Sequence, residues 1–240
     1  MTQHNAKPIR FLITAGPTRE YIDSVRYLSN DSSGRMGFAL AQAAVRAGHR
    51  VTLVHGPVAL AAPRGARVVQ VVSASEMLQA CRAEWPRHDV LIKSAAVADY
   101  TPAEPSATKR KKTKGLWRLS LKPTSDILAD LALSRRPNQV AIGFALEDQN
   151  ERVNALNKLT RKRLDAIVLN RPAAIGADAA VLEILTAEKG WETWPAGKKS
   201  TLAARLIKLG VSLFADKHES SRIRESSGPQ IMKYPAISRE

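Results

Sequence analysis

Four short apolar runs in the first hundred residues, alternating with helical patterns, constrain the fold more than any other feature. Residues 9–14 (IRFLIT), 51–55 (VTLVH), 68–72 (VVQVV) and 89–95 (DVLIKSA) are too short for helices and rich in β-branched residues. They read as strands buried on both faces. Between them lie an Ala-rich helix at 36–47 (MGFALAQAAVRA), closed by Gly48, and a second helix near 74–85. Doubly buried strands joined by helices imply a parallel sheet with right-handed crossovers. The expected class is α/β.

The pattern breaks at 99–115 (DYTPAEPSATKRKKTKG), which is polar, rich in Pro and Lys, and without hydrophobic periodicity. Beyond it LWRLSLK reads as a strand and TSDILADLAL as a helix capped by Thr124 or Ser125. A strand at 139–146, a basic helix at 150–163 and the strand DAIVLN follow. VLEILTA and WETWP then pair as a hairpin, and TLAARLIKLGVSLF makes a final amphipathic helix. The tail 216–240 has little periodicity and is expected to be mostly disordered. With no internal repeat, residues 1–215 are expected to form one domain, with a flexible flap at about 104–116.

Composition matters mainly through charge. The 240 residues are 44% hydrophobic, enough for a sizeable core, yet carry 37 Lys and Arg against 22 Asp and Glu, a net charge of +15. That excess points to polyanions: nucleic acid, an anionic membrane or phosphorylated small molecules. A lone cysteine, Cys81, excludes a disulfide framework and any multi-cysteine metal site. No stretch reads as a signal peptide or a membrane span, so the expectation is a soluble, cytoplasmic protein without membrane contact.

Four segments carry candidate chemistry. The first, residues 13–37 (ITAGPTREYIDSVRYLSNDSSGRMG), needs roughly 20 residues where a βα connection usually takes 2 to 6. Its end, Ser32-Ser33-Gly34-Arg35-Met36-Gly37, puts hydroxyls, glycine backbone and a cation at a helix N-terminus, which favours phosphate. The bland alternative is an ordinary capped helix. The second, Ser94 to Tyr100 (SAAVADY), ends a strand in small residues and an Asp that can accept from ribose or base. The third holds six cations and no acid: Lys109, Arg110, Lys111, Lys112, Lys114 and Arg118. It reads as a nucleic-acid stretch, a lid over phosphates or a solvated charge run. In the fourth, Lys158 and Lys162 stand i, i+4 on one helix face and could reach one triphosphate. The motifs G-x-G-x-x-G after the first strand, G-x-x-x-x-G-K-[ST], G-x-S-x-G and H-E-x-x-H are absent.

From Ile13 to Phe214 these segments, with SDIL, GFALE and KLTRKRLD, resemble the phosphopantothenate–cysteine ligase family in order and spacing. The chain is similar to a stand-alone form of the synthetase half of the bifunctional bacterial coenzyme A protein. The resemblance implies a Rossmann-like three-layer domain with a mainly parallel sheet. It also implies a two-step ligation. The carboxylate of 4′-phosphopantothenate attacks CTP to give an acyl-CMP and pyrophosphate, and the L-cysteine amine then displaces CMP. CTP is favoured over ATP, Mg²⁺ is the implied cofactor, and a homodimer is expected; the metal ligands stay unassigned.

Residue by residue, the resemblance assigns catalysis to Asn30, Arg26 and Lys109, with Asn30 donating to the acyl oxygen. Nucleotide binding falls to Ser33, Gly34, Asp99, Ser125, Asp126, Ile127, Leu128, Phe144, Lys158 and Lys162. Substrate would pack on Ala95 and Ala96, beside Asn30 and Arg26. Departures from the family pattern include Ser24 for Pro, Thr124-Ser125 for Asn-Pro, and Leu146 and Asp148 after Gly143-Phe144-Ala145. Two other readings compete. An oxidoreductase of similar fold would want Tyr-x-x-x-Lys, and Tyr21, Tyr27 and Tyr100 all lack the Lys. A nucleic-acid binder would want aromatics among its cations, and only 5% of residues are aromatic.

Overall fold

The computed structural model describes residues 7–171 and 179–226, with side chains described as far as Ser220. Six parallel strands form the centre: β1 (Arg10–Ala15), β4 (Arg50–His55), β5 (Arg67–Gln70), β6 (Val90–Lys93), β9 (Val140–Leu146) and β10 (Ala166–Asn170). The antiparallel pair β11 (Ala179–Thr186) and β12 (Gly190–Lys198) extends one edge, giving the order β12-β11-β10-β9-β6-β1-β4-β5. The helices are α1 (Arg35–Arg46), α2 (Ala74–Glu84), α3 (Ile127–Leu133), α4 (Glu151–Arg161) and α5 (Lys199–Ser226).

Alternation along the strands builds two cores. Phe11 and Ile13 of β1 face one side with Val90 and Ile92 of β6, under α1 and α5. Leu12 and Leu91 face the other side, under α2, α3 and α4. Successive strand side chains point to opposite faces, so a run such as FLI fills both cores at once. The result is a Rossmann-like three-layer α/β fold with a mainly parallel sheet, as expected.

The long connection after β1 carries an antiparallel hairpin of β2 (Arg19–Tyr21) and β3 (Tyr27–Ser29). Three local expectations need correction. The LWRLSLK strand shrinks to β8 (Leu121–Pro123), paired only with β7 (Tyr100–Pro102) outside the main sheet. Its apolar residues have no core to enter, and Leu116 is 95% exposed. The cap of α3 is Asp126, which accepts from the Ala129 amide at 3.2 Å. Thr124 instead turns its hydroxyl to the Ala98 carbonyl, 2.6 Å away.

The final helix also runs past Phe214 into the stretch expected to be disordered. Lys217 donates to the Gln139 carbonyl (3.0 Å) and pairs with Asp165 (2.7 Å), while the His218 ring meets Phe214 at 4.4 Å. Polar anchors of this kind leave no hydrophobic period to read. The rest of the expected tail, 227–240, lies outside the described residues.

Candidate active site

Strand order reverses between β1 and β6, because the chain leaves β1 for β4 on one side and returns from β5 to β6 on the other. The carboxyl ends of such neighbours diverge and leave a crevice. Here the two connections are laced together across it. Thr18 N donates to Ala96 O (3.3 Å) and Ala96 N to Gly16 O (3.0 Å). The Thr14 hydroxyl accepts from Ala95 N (3.2 Å), and the Thr18 hydroxyl from Ala98 N (2.9 Å). A cleft of about 480 Å³ opens above this lacing.

One wall is the start of α1. Gly34 takes a left-handed conformation (φ 72°), and as the N-cap residue it offers no side chain to the helix amides. Ser33, Gly34, Arg35 and Gly37 line the cleft here, so the first turn of the helix faces it. Gly37 brings the helix against the sheet: a Cβ there would sit 2.4 Å from Ala15 Cβ and 2.8 Å from Ser94 Oγ. A helix N-terminus so placed attracts anions through its dipole.

The opposite wall is cationic. Lys158 of α4 lines the cleft and donates to the Phe144 carbonyl at 2.7 Å. Its ammonium is held below the ordinary lysine value by burial and then by Lys162. Lys93, the last residue of β6, donates to the Ala95 carbonyl at 3.3 Å. Burial first, then Lys158 and Lys162, push its ammonium down to about 8. Asp99 and Phe144 complete this side, and Ala95 and Ala96 floor the cleft.

Asn30 stands between the walls. Its amide nitrogen donates to both Ala96 O and Val97 O, each at 3.1 Å. An amide has two N–H donors. Both are therefore engaged, and only Oδ1 is left to offer a ligand. The expected donation from Asn30 to an acyl oxygen does not fit this geometry.

Of the other expected residues, seven lie away from the cleft lining. Arg26 is bound to Asp23 (2.5 Å), donates to the Arg110 carbonyl (2.9 Å) and lies 4.9 Å over the Trp117 ring. Asp23 is buried and collects the amides of Val25, Arg26 and Arg110 besides the guanidinium. The Arg26 side chain, followed by those amides, holds its carboxyl well below the usual carboxylate range. The basic segment 103–120 has no regular secondary structure, and Asp23 and Arg26 tie it to the β2–β3 hairpin. Lys109 is exposed on that segment, and Ser125 is exposed ahead of α3. Lys162 pairs with Asp126 instead of facing the cleft, and Ile127 and Leu128 are buried in the core.

Three cleft residues escaped the sequence reading, Lys93, Asn170 and Lys199, and Glu147 entered it only within GFALE. Lys93 left a visible sign, as a cation at the end of the apolar run VLIK.

Doubly wound topology with a cleft at its switch point, a helix N-terminus on one wall and lysines on the other define a Rossmann-like domain. Residues 6–213 match the family model described as the DNA/pantothenate metabolism flavoprotein C-terminal domain, and the chain belongs to that family. It is 46% identical over 178 residues to the coenzyme A biosynthesis bifunctional protein CoaBC of Bacillus subtilis (72% of this chain, 44% of that protein). A prokaryotic protein described as a cysteine/cysteine sulfinic acid decarboxylase is 43% identical over 209 residues (85% and 58%). The chain thus spans about half the length of these relatives. The crystal structure of the C-terminal domain of CoaBC superposes with TM-score 0.76 at 37% identity, covering 87% of this chain and 96% of that one. A Cab2 mutant in complex with phosphopantothenate-cysteine has the same fold (TM-score 0.76, 15% identity, 89% of each chain).

Proposed function

We propose that this chain is a phosphopantothenate–cysteine ligase, joining 4′-phosphopantothenate to L-cysteine through a 4′-phosphopantothenoyl-CMP intermediate. The observation that carries the reading is the two-walled cleft, with the N-terminus of α1 facing a lysine wall and Asn30 anchored between them. Two polyanionic substrates must meet there, and their repulsion is offset by fixed positive groups on both sides. The relatives named CoaBC support the same reaction.

The side chains divide the work as follows. Ser33, Gly34 and the first turn of α1 receive phosphate, while Lys158 and Asp99 hold the nucleotide against Phe144. Ala95 and Ala96 let the acyl group approach the backbone. Asn30 Oδ1 accepts an N–H of the cysteine amine, so the nitrogen lone pair points at the acyl carbon. Residues of about 104–116 act as a flap: Lys109 closes on the polyphosphate, and Arg26 with Asp23 anchors the hinge side.

Mg²⁺ would neutralise polyphosphate charge. Among the described residues no group of three or more His, Cys, Asp or Glu could hold a metal. The ion would enter on triphosphate oxygens, and Asp31, Asp99 and Glu147 are the carboxylates that line the cleft. CTP remains the preferred nucleotide over ATP. A homodimer is expected, and the exposed Val25, Tyr100, Leu116 and Leu121 offer apolar surface for it. No helix among the described residues is long and apolar enough to cross a membrane. A cytoplasmic location accords with this chemistry.

The test is pyrophosphate release with phosphopantothenate and cysteine, using CTP and ATP in turn. Release that depends on the acid supports the reading, with CTP the faster. No release with either nucleotide refutes it.

A further inference from the structure

Lys93 closes β6 at the switch point and belongs to the lysine wall, yet no ligand group has been assigned to it. Its ammonium makes a long hydrogen bond, 3.3 Å, to the Ala95 carbonyl. Its titratable neighbours are Cys81 from α2, Asp126 ahead of α3, Lys158 of α4 and Lys162 just past that helix, while the flanking strands β1 and β9 present Thr14 and Gly143. Asp126 already pairs with Lys162, and Lys158 is bound to the Phe144 carbonyl. Among the described residues no carboxylate lies in an ion pair with Lys93 to balance it. A half-buried ammonium among like charges is costly unless an anion reaches it.

We infer that Lys93 is a further ligand-binding residue of the cleft, its ammonium pairing with a phosphate group of a bound substrate beside Lys158. This rests on the ligase reading for the identity of the phosphate compounds, and the lysine wall favours the nucleotide as their source. Without ligand, burial and the two other lysines leave Lys93 only partly charged near pH 8. An arriving phosphate restores its proton. Binding therefore takes up hydrogen ion, about three-quarters of a proton at pH 8.5 for a group near 8. Affinity falls as pH rises above 8, up to about tenfold per unit.

The experiment is calorimetric titration of the full chain with CTP alone and with 4′-phosphopantothenate alone, in two buffers of different ionisation heat at pH 8.5. Wild type, K93M and K93Q are compared, and circular dichroism checks that both variants fold; removing a half-buried charge favours folding. The expected result is proton uptake by wild type, lost in both variants, with Kd for CTP raised about tenfold. The same loss with phosphopantothenate instead places the phosphate of the acid at Lys93 and still supports the inference. Unchanged Kd and unchanged proton uptake for both ligands overturn it, whatever the turnover. Conversely, wild type that binds CTP with Lys93-dependent uptake yet releases no pyrophosphate refutes the ligase reading alone. Wild type that binds neither compound overturns both.

Discussion

Asn30 is exposed, yet two carbonyls fix which way its amide points. Ala96 O and Val97 O can only accept, so the nitrogen must face them and Oδ1 must face the cleft. Asn30→Asp removes both donors and sets a negative oxygen against two carbonyls. Under the ligase reading, the acyl-nucleotide is expected to accumulate in that variant while amide formation slows about 10²-fold or more, the scale of losing one positioned polar group. Rapid quench with chromatographic detection of the acyl-nucleotide reads this directly, and normal turnover would sink the assignment. If the basic segment acts as the proposed flap, Lys109→Gln is expected to lower kcat/KM about tenfold or more with the thermal midpoint unchanged, whereas Lys114→Gln changes it less than threefold. Equal effects from the two would reduce the basic run to a diffuse charge field. The sequence showed Asn30 inside its motif but not the orientation of its amide. That depends on backbone 66 residues away, beyond any local pattern.

At the scale of elements, legibility followed burial. Strands β1, β4, β6, β9 and β10 announce themselves because each is apolar on both faces, and the basic α4 shows through its spacing. The hairpin β2–β3 does not, and β7–β8 shows only through the overlong LWRLSLK run, because three-residue strands outside the main sheet carry no repeat to detect. Their shape is set by polar contacts such as Asp23 gathering its own turn and Arg110. A similar polar contact joins α2 to the sheet. His88 is buried, its Nδ1 2.6 Å from the Glu84 carbonyl and its Nε2 2.9 Å from the Thr52 hydroxyl. Nδ1–H donates to the carbonyl, so Nε2 is unprotonated and accepts from the hydroxyl. Burial lowers the affinity of His88 for a proton below its ordinary 6.5. The unfolded chain then binds more protons than the folded one below that value, so stability present above pH 6.5 is lost as pH falls. Urea unfolding at about pH 7.5 and 5.5 should show the decline, and His88→Gln, neutral throughout, should flatten it. An equal slope in the variant would place the proton elsewhere.

Across the whole molecule the charge is unevenly used. Residues 216–240 contribute only +1 of the +15, and ten cations fall within 109–118 and 158–163. The structure separates these two clusters in kind. The first is exposed on a segment without regular structure, while the second gives one lysine to the cleft and another to Asp126. Exposed charge acts at a distance and is screened within about 8 Å at physiological salt, whereas half-buried charge acts on contact and is screened little. Under the ligase reading the exposed cations govern capture of the nucleotide, and the buried lysines govern how it is held. Raising salt from about 0.05 to 0.5 M should then lower kcat/KM for CTP about three- to tenfold while kcat changes less than twofold. Initial rates at subsaturating and saturating CTP, with ionic strength varied at fixed free Mg²⁺, separate the two. Lys109→Gln should start lower and show a shallower salt slope, since part of the screened field is already gone. K93M should keep the full slope, because the charge it removes lies inside the cleft. If instead kcat falls in step with kcat/KM, salt is acting on the closed complex, and the division between steering and holding charges fails.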